Sequence, residues 1–346
     1  MRPEQWKLFK SAARLEPLAR VPVALIVDSP WIPGYAGVSH LDYYLDQDLW
    51  FRLNAGLMHE FPEVIFLPSW WIEYGMAIEP SALGSRIIFA ADQPPSQVPS
   101  LRSLADVDQL PTVNPTTDAF MALALHRYRR EKQRIFDAGF TIPLVTARGP
   151  LCTASFIRGL TTLMTDVVED PDGVHKLLAY TTKVTIQWLE AQRDAIGDSV
   201  EGIFILDDIP GLLSRKLYLA FADPYLRQVC DAFPKDWIRI YHNDANIKPF
   251  VEDLATVGFH VLNWSHNFPV ADMRRRTGGK LCLMGNVAPL ELGVKGTPDQ
   301  VKAAARAVLE ASGRPRIILS LGGGVGPGMP RENIRALVEA AAEWNR

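Results

Sequence analysis

Cysteine is scarce: Cys152, Cys230 and Cys282 are the only three in 346 residues. An odd number, far apart and without a Cys-x-x-Cys pair, supports neither a disulfide framework nor a thiolate zinc or redox motif. Long apolar runs are also missing. Nothing approaches the roughly 18 consecutive apolar residues that span a bilayer. The opening segment, MRPEQWKLFKSAARLEP, lacks the apolar stretch of a secretory leader. A soluble, reducing, cytoplasmic setting is therefore expected, without a membrane partner. Neither sign of charge is in excess: 36 Lys and Arg against 39 Asp and Glu leave a formal charge of −3. That balance gives no general pull toward nucleic acid. No internal repeat, low-complexity tract or Pro/Gly/Ser-rich linker divides the chain. What remains is 48% apolar and 22% charged, the make-up of a protein with a large buried core.

Short apolar runs alternate with helical periodicity. The expected strands are VPVALIV (around 22–27), VIFLP (64–68), IPLVT (142–146), GIFIL (202–206), IRIY (238–241), FHVLN (259–263), KLCLM (280–284) and RIILS (316–320). Helical stretches cover 115–138, 172–197, 214–233, 246–257, 297–312 and 331–345. Asp170-Pro171 and Thr297-Pro298 place a capping residue before a proline, a helix-start pattern. About eight strand-then-helix units read as one α/β domain over 1–346, a TIM (β/α)8 barrel with an N-terminal extension. The proline-rich segment 91–117 reads as a long loop over the barrel mouth. The rival architecture is a doubly wound open sheet with an extra lobe from 70–115.

In a barrel of this kind the site is built at the C-terminal ends of the strands. Asp28 and Trp31 follow the first strand. Trp70, Trp71, Glu73, Tyr74 and Glu79 follow the second, and Arg148 the third. Asp207 and Asp208 follow the fourth, and His242 and Asp244 the fifth. Asn263 and His266 follow the sixth, Asn286 the seventh, and Gly322, Gly323 and Gly324 the eighth. In extended chain, residues two apart face the same side, so His242 and Asp244 point together. An imidazole and a carboxylate so placed suit a zinc ion or an acid–base pair; a simple histidine–carboxylate hydrogen bond is the alternative. Glu79, Glu73, Asp208 and His266 are candidate third ligands, Glu79 preferred because its segment, GMAIEPSALGS, is rich in small residues. Asp207 and Asp208 position a substrate or cap a helix. Trp31, Tyr35, Trp70, Trp71 and Tyr74 line an aromatic pocket or pack an outer layer.

Several segments resemble the uroporphyrinogen decarboxylase superfamily: GPLCTASFIRG (149–159), MTDVVEDPDGVHKLL (164–178), SRKLYLAFADPYLRQV (214–229), GNVAPLELGVKGTPDQV (285–301) and ILSLGGGVGPGMPRENIRALVEA (318–340). The resemblance covers residues 140–346 well and implies a TIM barrel, often dimeric. It offers two activities. One is cofactor-free decarboxylation of uroporphyrinogen. The other is zinc-dependent methyl transfer with corrinoid proteins, as in methylcobamide:coenzyme M methyltransferases and the methyltransferase components of methoxyaryl O-demethylases. The decarboxylases carry an N-terminal Arg-Gln-Ala-Gly-Arg segment, where this chain reads DSPWIPGYAG, without arginine. The coenzyme M branch has a His-x-Cys zinc motif with a later Cys. His242 matches the histidine, while Asp244 and Gly323 stand at the two cysteine positions.

Carboxylate in place of thiolate makes a harder site, better matched to an oxygen than to a thiol. The leading expectation is transfer of a methyl group from an oxygen-linked donor, such as a methoxyaryl ether, to a separate corrinoid protein. His242, Asp244 and Glu79 would hold zinc, and Asp208, His266 and Asp207 would serve the chemistry. Trp31, Trp70, Tyr74 and Arg148 would bind the donor. The second expectation is a metal-free decarboxylase of another carboxylate substrate, with Arg148 binding the acid. A non-catalytic barrel is the third.

Overall fold

In the computed structural model, which describes residues 1–27, 29–312 and 317–346, ten strands form. They are β1 (Val23–Ile26), β2 (Val64–Leu67), β3 (Arg86–Ile88), β4 (Ser96–Val98), β5 (Leu144–Arg148), β6 (Gly202–Leu206), β7 (Ile238–Asn243), β8 (Val261–Trp264), β9 (Cys282–Val287) and β10 (Ile317–Leu321). Eight of them curl into one parallel sheet in the order β2-β1-β10-β9-β8-β7-β6-β5. This is the α/β, TIM-like architecture expected. The short β3 and β4 pair antiparallel outside it. Asp28 and Arg316 lie outside the described residues.

The eight strands are continuous apolar runs because helices cover one face and the barrel interior fills the other. Alternation sorts them. Ile26, Leu67, Leu144, Phe204, Ile240, Met284 and Ile318 join an interior cluster. Leu25, Phe66, Val145, Ile205, Tyr241 and Leu319 join the outer layer beneath the helices. The N-terminal helix Pro3–Ala13 closes the lower end, with Trp6, Phe9, Ala12 and Ala13 in the interior cluster. Its Gln5 Nε2 donates to the Pro62 and Val64 carbonyls at the start of β2. The N–H of Thr141, just ahead of β5, donates to the Met1 carbonyl. This segment thus bridges the seam between the two strands at the ends of the sheet order. With one end plugged, the other is left for a site.

Local chemistry explains the boundary shifts. The third expected strand begins at Leu144 rather than 142, because Pro143 has no N–H for a ladder, and it runs on to Arg148. The expected helix 214–233 is two helices, Arg215–Phe221 and Asp223–Asp231, divided before Pro224. The expected helix 246–257 shortens to a 3-10 turn at Lys248–Phe250, around Pro249, and a helical turn at Val251–Leu254. Segment 91–117 is anchored on outer helices. Ser100 and Leu101 donate to the Ile157 carbonyl, and Tyr180 Oη donates to the Pro111 carbonyl.

Candidate active site at the carboxyl end of the barrel

Strand register builds the site. Arg148 pairs with Leu206, Leu206 with His242, His242 with Asn263 and Asn263 with Met284. These residues share the inward face and one level of the barrel. His242 follows Ile238 and Ile240 in the inward set of β7. Beyond the ends of β6 and β7, Asp208 and Asp244 follow Leu206 and His242 at a two-residue step. Asp208, His242 and Asp244 offer ligand atoms that lie within 4.8 Å of one another. Asp208 Oδ1 is 3.6 Å from His242 Nε2 and accepts from the Asp244 N–H at 3.1 Å.

Asn263 sets the histidine tautomer. Its Nδ2 donates to the carbonyls of Met284 (2.7 Å) and Leu321 (2.9 Å). Both amide hydrogens are thus used, and Oδ1 faces His242 Nδ1 at 2.7 Å. Oδ1 only accepts, so neutral His242 carries its proton on Nδ1. The Nε2 lone pair is left facing the two carboxylates. Asp244 stands at the rim with much of its surface open, yet its carboxyl turns into the site. Desolvation there raises its pKa above the usual carboxylate value; the His242 and His266 charges oppose that and Asp208 adds to it.

Asp207 faces the other way. It belongs to the outward set with Ile203 and Ile205, and is 1% exposed. Its Oδ1 accepts from the Cys152 N–H at 2.9 Å and so caps the helix Pro150–Arg158 from outside it. Burial pushes its carboxyl well above the ordinary range, Asp208 adds to this, and the Cys152 and Leu151 amides oppose it. Gly149 makes the approach possible: a Cβ there would stand 2.2 Å from Asp207 Oδ2.

The other expected residues are distributed. Glu79 is buried and accepts from the main-chain N–H of Arg148 at 2.8 Å, outside the His242 group. Desolvation raises its pKa, against the Arg148 amide and charge. Glu73 accepts from the Ser29 N–H at 2.6 Å. His266 Nε2 lies 3.8 Å from Glu291 Oε2 at the rim. Trp31 packs on Tyr35 and donates to the Met329 carbonyl. Trp70 packs among Trp50, Phe51 and Phe140, and Tyr74 between Tyr44 and Phe120. These three aromatics belong to the outer layer. Trp71 instead packs against the interior cluster, 5.4 Å from the Arg148 guanidinium. The turn after β2 explains the division. Ser69 and Trp70 both adopt left-handed φ, 77° and 55°, which drops Trp70 outward and leaves Trp71 inward.

The uroporphyrinogen decarboxylase (URO-D) family model matches residues 5–344. The chain belongs to the uroporphyrinogen decarboxylase family. Its curated relatives include the uroporphyrinogen decarboxylase of Serratia proteamaculans, 26% identical over 274 residues, which cover 75% of this chain and 74% of that one. Another, from Pelodictyon phaeoclathratiforme, is 24% identical over 361 residues and 97% of each chain. Among solved structures, a methyltransferase from Methanosarcina mazei superposes with a TM-score of 0.84 over 99% of both chains at 20% identity, a likeness of fold.

Within this enzyme family the donor set of the chain is one imidazole and two carboxylates. It fits a divalent ion: the Nε2 lone pair is oriented by Asn263, as a metal-bound histidine requires of its other nitrogen. Gly323 borders the same group. A Cβ on it would lie 3.1 Å from Asp244 Oδ2, and its φ of 149° favours glycine. Position 323 thus leaves room where a side chain would crowd Asp244. The sequence names Asn263 only as a strand-end residue, and Trp71 only as one of five aromatics of a pocket or an outer layer. Asn263 carried a signal, since a polar residue on an inward strand position needs partners. Trp71 stood among the aromatic candidates, but nothing set it apart from Trp70, because the turn that selects it has no sequence signature.

Proposed function

We propose that this family member is a metal-assisted methyltransferase. It moves a methyl group from an oxygen-linked donor, such as a methoxyaryl ether, to a separate corrinoid protein. The observation that supports this most is the Asp208–His242–Asp244 group, with the Nε2 lone pair turned into it. Those three residues would hold zinc, and the ion, when bound, would supply Lewis acidity toward an ether oxygen and so improve the departing phenolate or alkoxide. Asn263 holds the imidazole in the required tautomer. Asp208 draws the Asp244 main chain close and keeps both carboxylates on the histidine. His266, at the rim beside Asp244, is placed to share charge or a proton with the leaving oxygen. The methyltransferase with the same fold accords with this reading.

Purified protein should contain about one zinc per chain, measured by elemental analysis. It should pass methyl from a methoxyarene to cob(I)alamin, followed by the visible spectrum. Asp244→Ala should lower metal content and transfer together. Fully active protein without stoichiometric metal, or normal turnover in Asp244→Ala, would overturn the reading.

A second reading, decarboxylation of a carboxylate other than uroporphyrinogen, is favoured by the names of the curated relatives and by Arg148 on the inward face. A substrate with many carboxylates calls for several cations, and the segment 29–37 supplies none. Release of carbon dioxide by metal-free protein would favour this reading over methyl transfer.

A further inference from the structure

We infer that the donor carries a carboxylate, held by the Arg148 guanidinium beside the face of Trp71, so that the substrate class is a methoxylated aromatic acid. The inference rests on the methyl-transfer reading for the methoxy group; the acid-binding half stands on its own.

The first support is an unpaired cation. Arg148 is 6% exposed. Its main-chain N–H and carbonyl are engaged by Glu79 and Thr185. Its guanidinium has no hydrogen bond and no carboxylate within ion-pair reach among the described residues, only the Trp71 ring. Three other buried or half-buried arginines have partners. Arg239 donates to the carbonyls of Cys230, Phe233, Pro234 and Trp237. Arg158 grips Asp166, and Arg127 binds the Tyr44 carbonyl. A guanidinium on the inward face with no carboxylate beside it is free to pair with a ligand's acid.

The second support is placement. Arg148 follows Leu144 on the inward face of β5, and register sets it level with His242, two strands away. At the usual strand spacing the two backbones are roughly 10 Å apart. Both side chains point inward from strands that near, so one small aromatic molecule can meet both, its acid at Arg148 and its ether oxygen at the Asp208–His242–Asp244 group. Trp71 covers the guanidinium and offers a flat wall to the ring, while the fork matches a carboxylate in two parallel bonds. A single arginine suits a single acid.

Calorimetric titration of the metal-loaded protein tests both halves. The probes are benzoate, 4-methoxybenzoate and the neutral 4-methoxybenzamide. 4-Methoxybenzoate is expected to bind at least tenfold tighter than the amide. Arg148→Met should erase that preference, and Arg148→Lys, which keeps the charge but loses the fork, should weaken it at least threefold. Equal affinity for acid and amide, or an unchanged preference in Arg148→Met, overturns the inference. A measurement on the unaltered protein guards against misfolded variants: 4-methoxybenzoate, but not the amide, should shield Arg148 from phenylglyoxal in a mass-mapped modification. Equal labelling with and without the acid overturns it as well. The two readings fail separately. Arg148-dependent binding of benzoate without any demethylation leaves the acid site standing and removes methyl transfer. Demethylation of neutral methoxyarenes, indifferent to Arg148→Met, removes the acid site alone.

Discussion

His242 owes its usable nitrogen to a residue on the neighbouring strand. Asn263 spends both amide hydrogens on the Met284 and Leu321 carbonyls and so presents only an acceptor to Nδ1. Outer partners of this kind typically contribute ten- to hundredfold in metal affinity. Asn263→Ala is therefore expected to weaken zinc binding by about that factor, read by competition with a chromogenic chelator. It also leaves buried carbonyls unpaired, a cost of about 1–3 kcal/mol that a thermal melt will register. Unchanged zinc affinity in a folded variant would show that the tautomer is set elsewhere.

At the scale of elements, Asp207 is a cap rather than a lumen acid. Burial favours its protonated form, and its Oδ1 accepts from the amide of Cys152. Asparagine is neutral and of the same shape, so Asp207→Asn should unfold in denaturant within about 0.5 kcal/mol of the parent. Asp207→Ala loses the cap and should cost about 1–2 kcal/mol. A large loss in the asparagine variant would mean that the ionised carboxylate matters.

His260, just ahead of β8, gives a pH signature. Its Nδ1 accepts from the Arg239 N–H at 3.1 Å, which the neutral ring alone can do. Burial, then the charges of Arg239 and Arg14, hold its pKa below 6.5. The unfolded chain takes up the proton first, so the stability His260 contributes is complete above about pH 6.5 and is lost as pH falls from there through the folded value. His260→Asn keeps an acceptor without titrating. Its melting temperature should fall less than the parent's between pH 7.5 and 5. Parallel pH profiles would remove His260 from that slope, to which the buried, likewise down-shifted His40 also contributes.

For the whole molecule, one end of the barrel is packed shut so that the other can be functional. Trp6 is 4% exposed, stacks on Phe9 and pairs through Nε1 with Glu201 at the lower end of β6. Trp6→Ala opens a void in the interior cluster and should cost about 3–5 kcal/mol in urea unfolding. Among the described residues no helix is long and apolar enough to cross a membrane.

Much of this was written locally along the chain. Eight apolar runs of strand length, parted by helical periodicity, specify the curled parallel sheet, because each run must bury both faces. The two-residue spacing of His242 and Asp244 already puts them on one side, since side-chain alternation is a property of the strand alone. Pairings between strands were not local. Asp208, rather than Glu79, faces His242 because register aligns β6 with β7. Asp207 turns away because it is one residue out of phase with Leu206. Trp71, rather than Trp70, meets Arg148 because two left-handed residues reorient the chain after β2. Whether Arg148 has a partner depends on every strand that curls around it. Sequence determines which residues a strand offers to the lumen; only the register and curl of the sheet decide which of them meet.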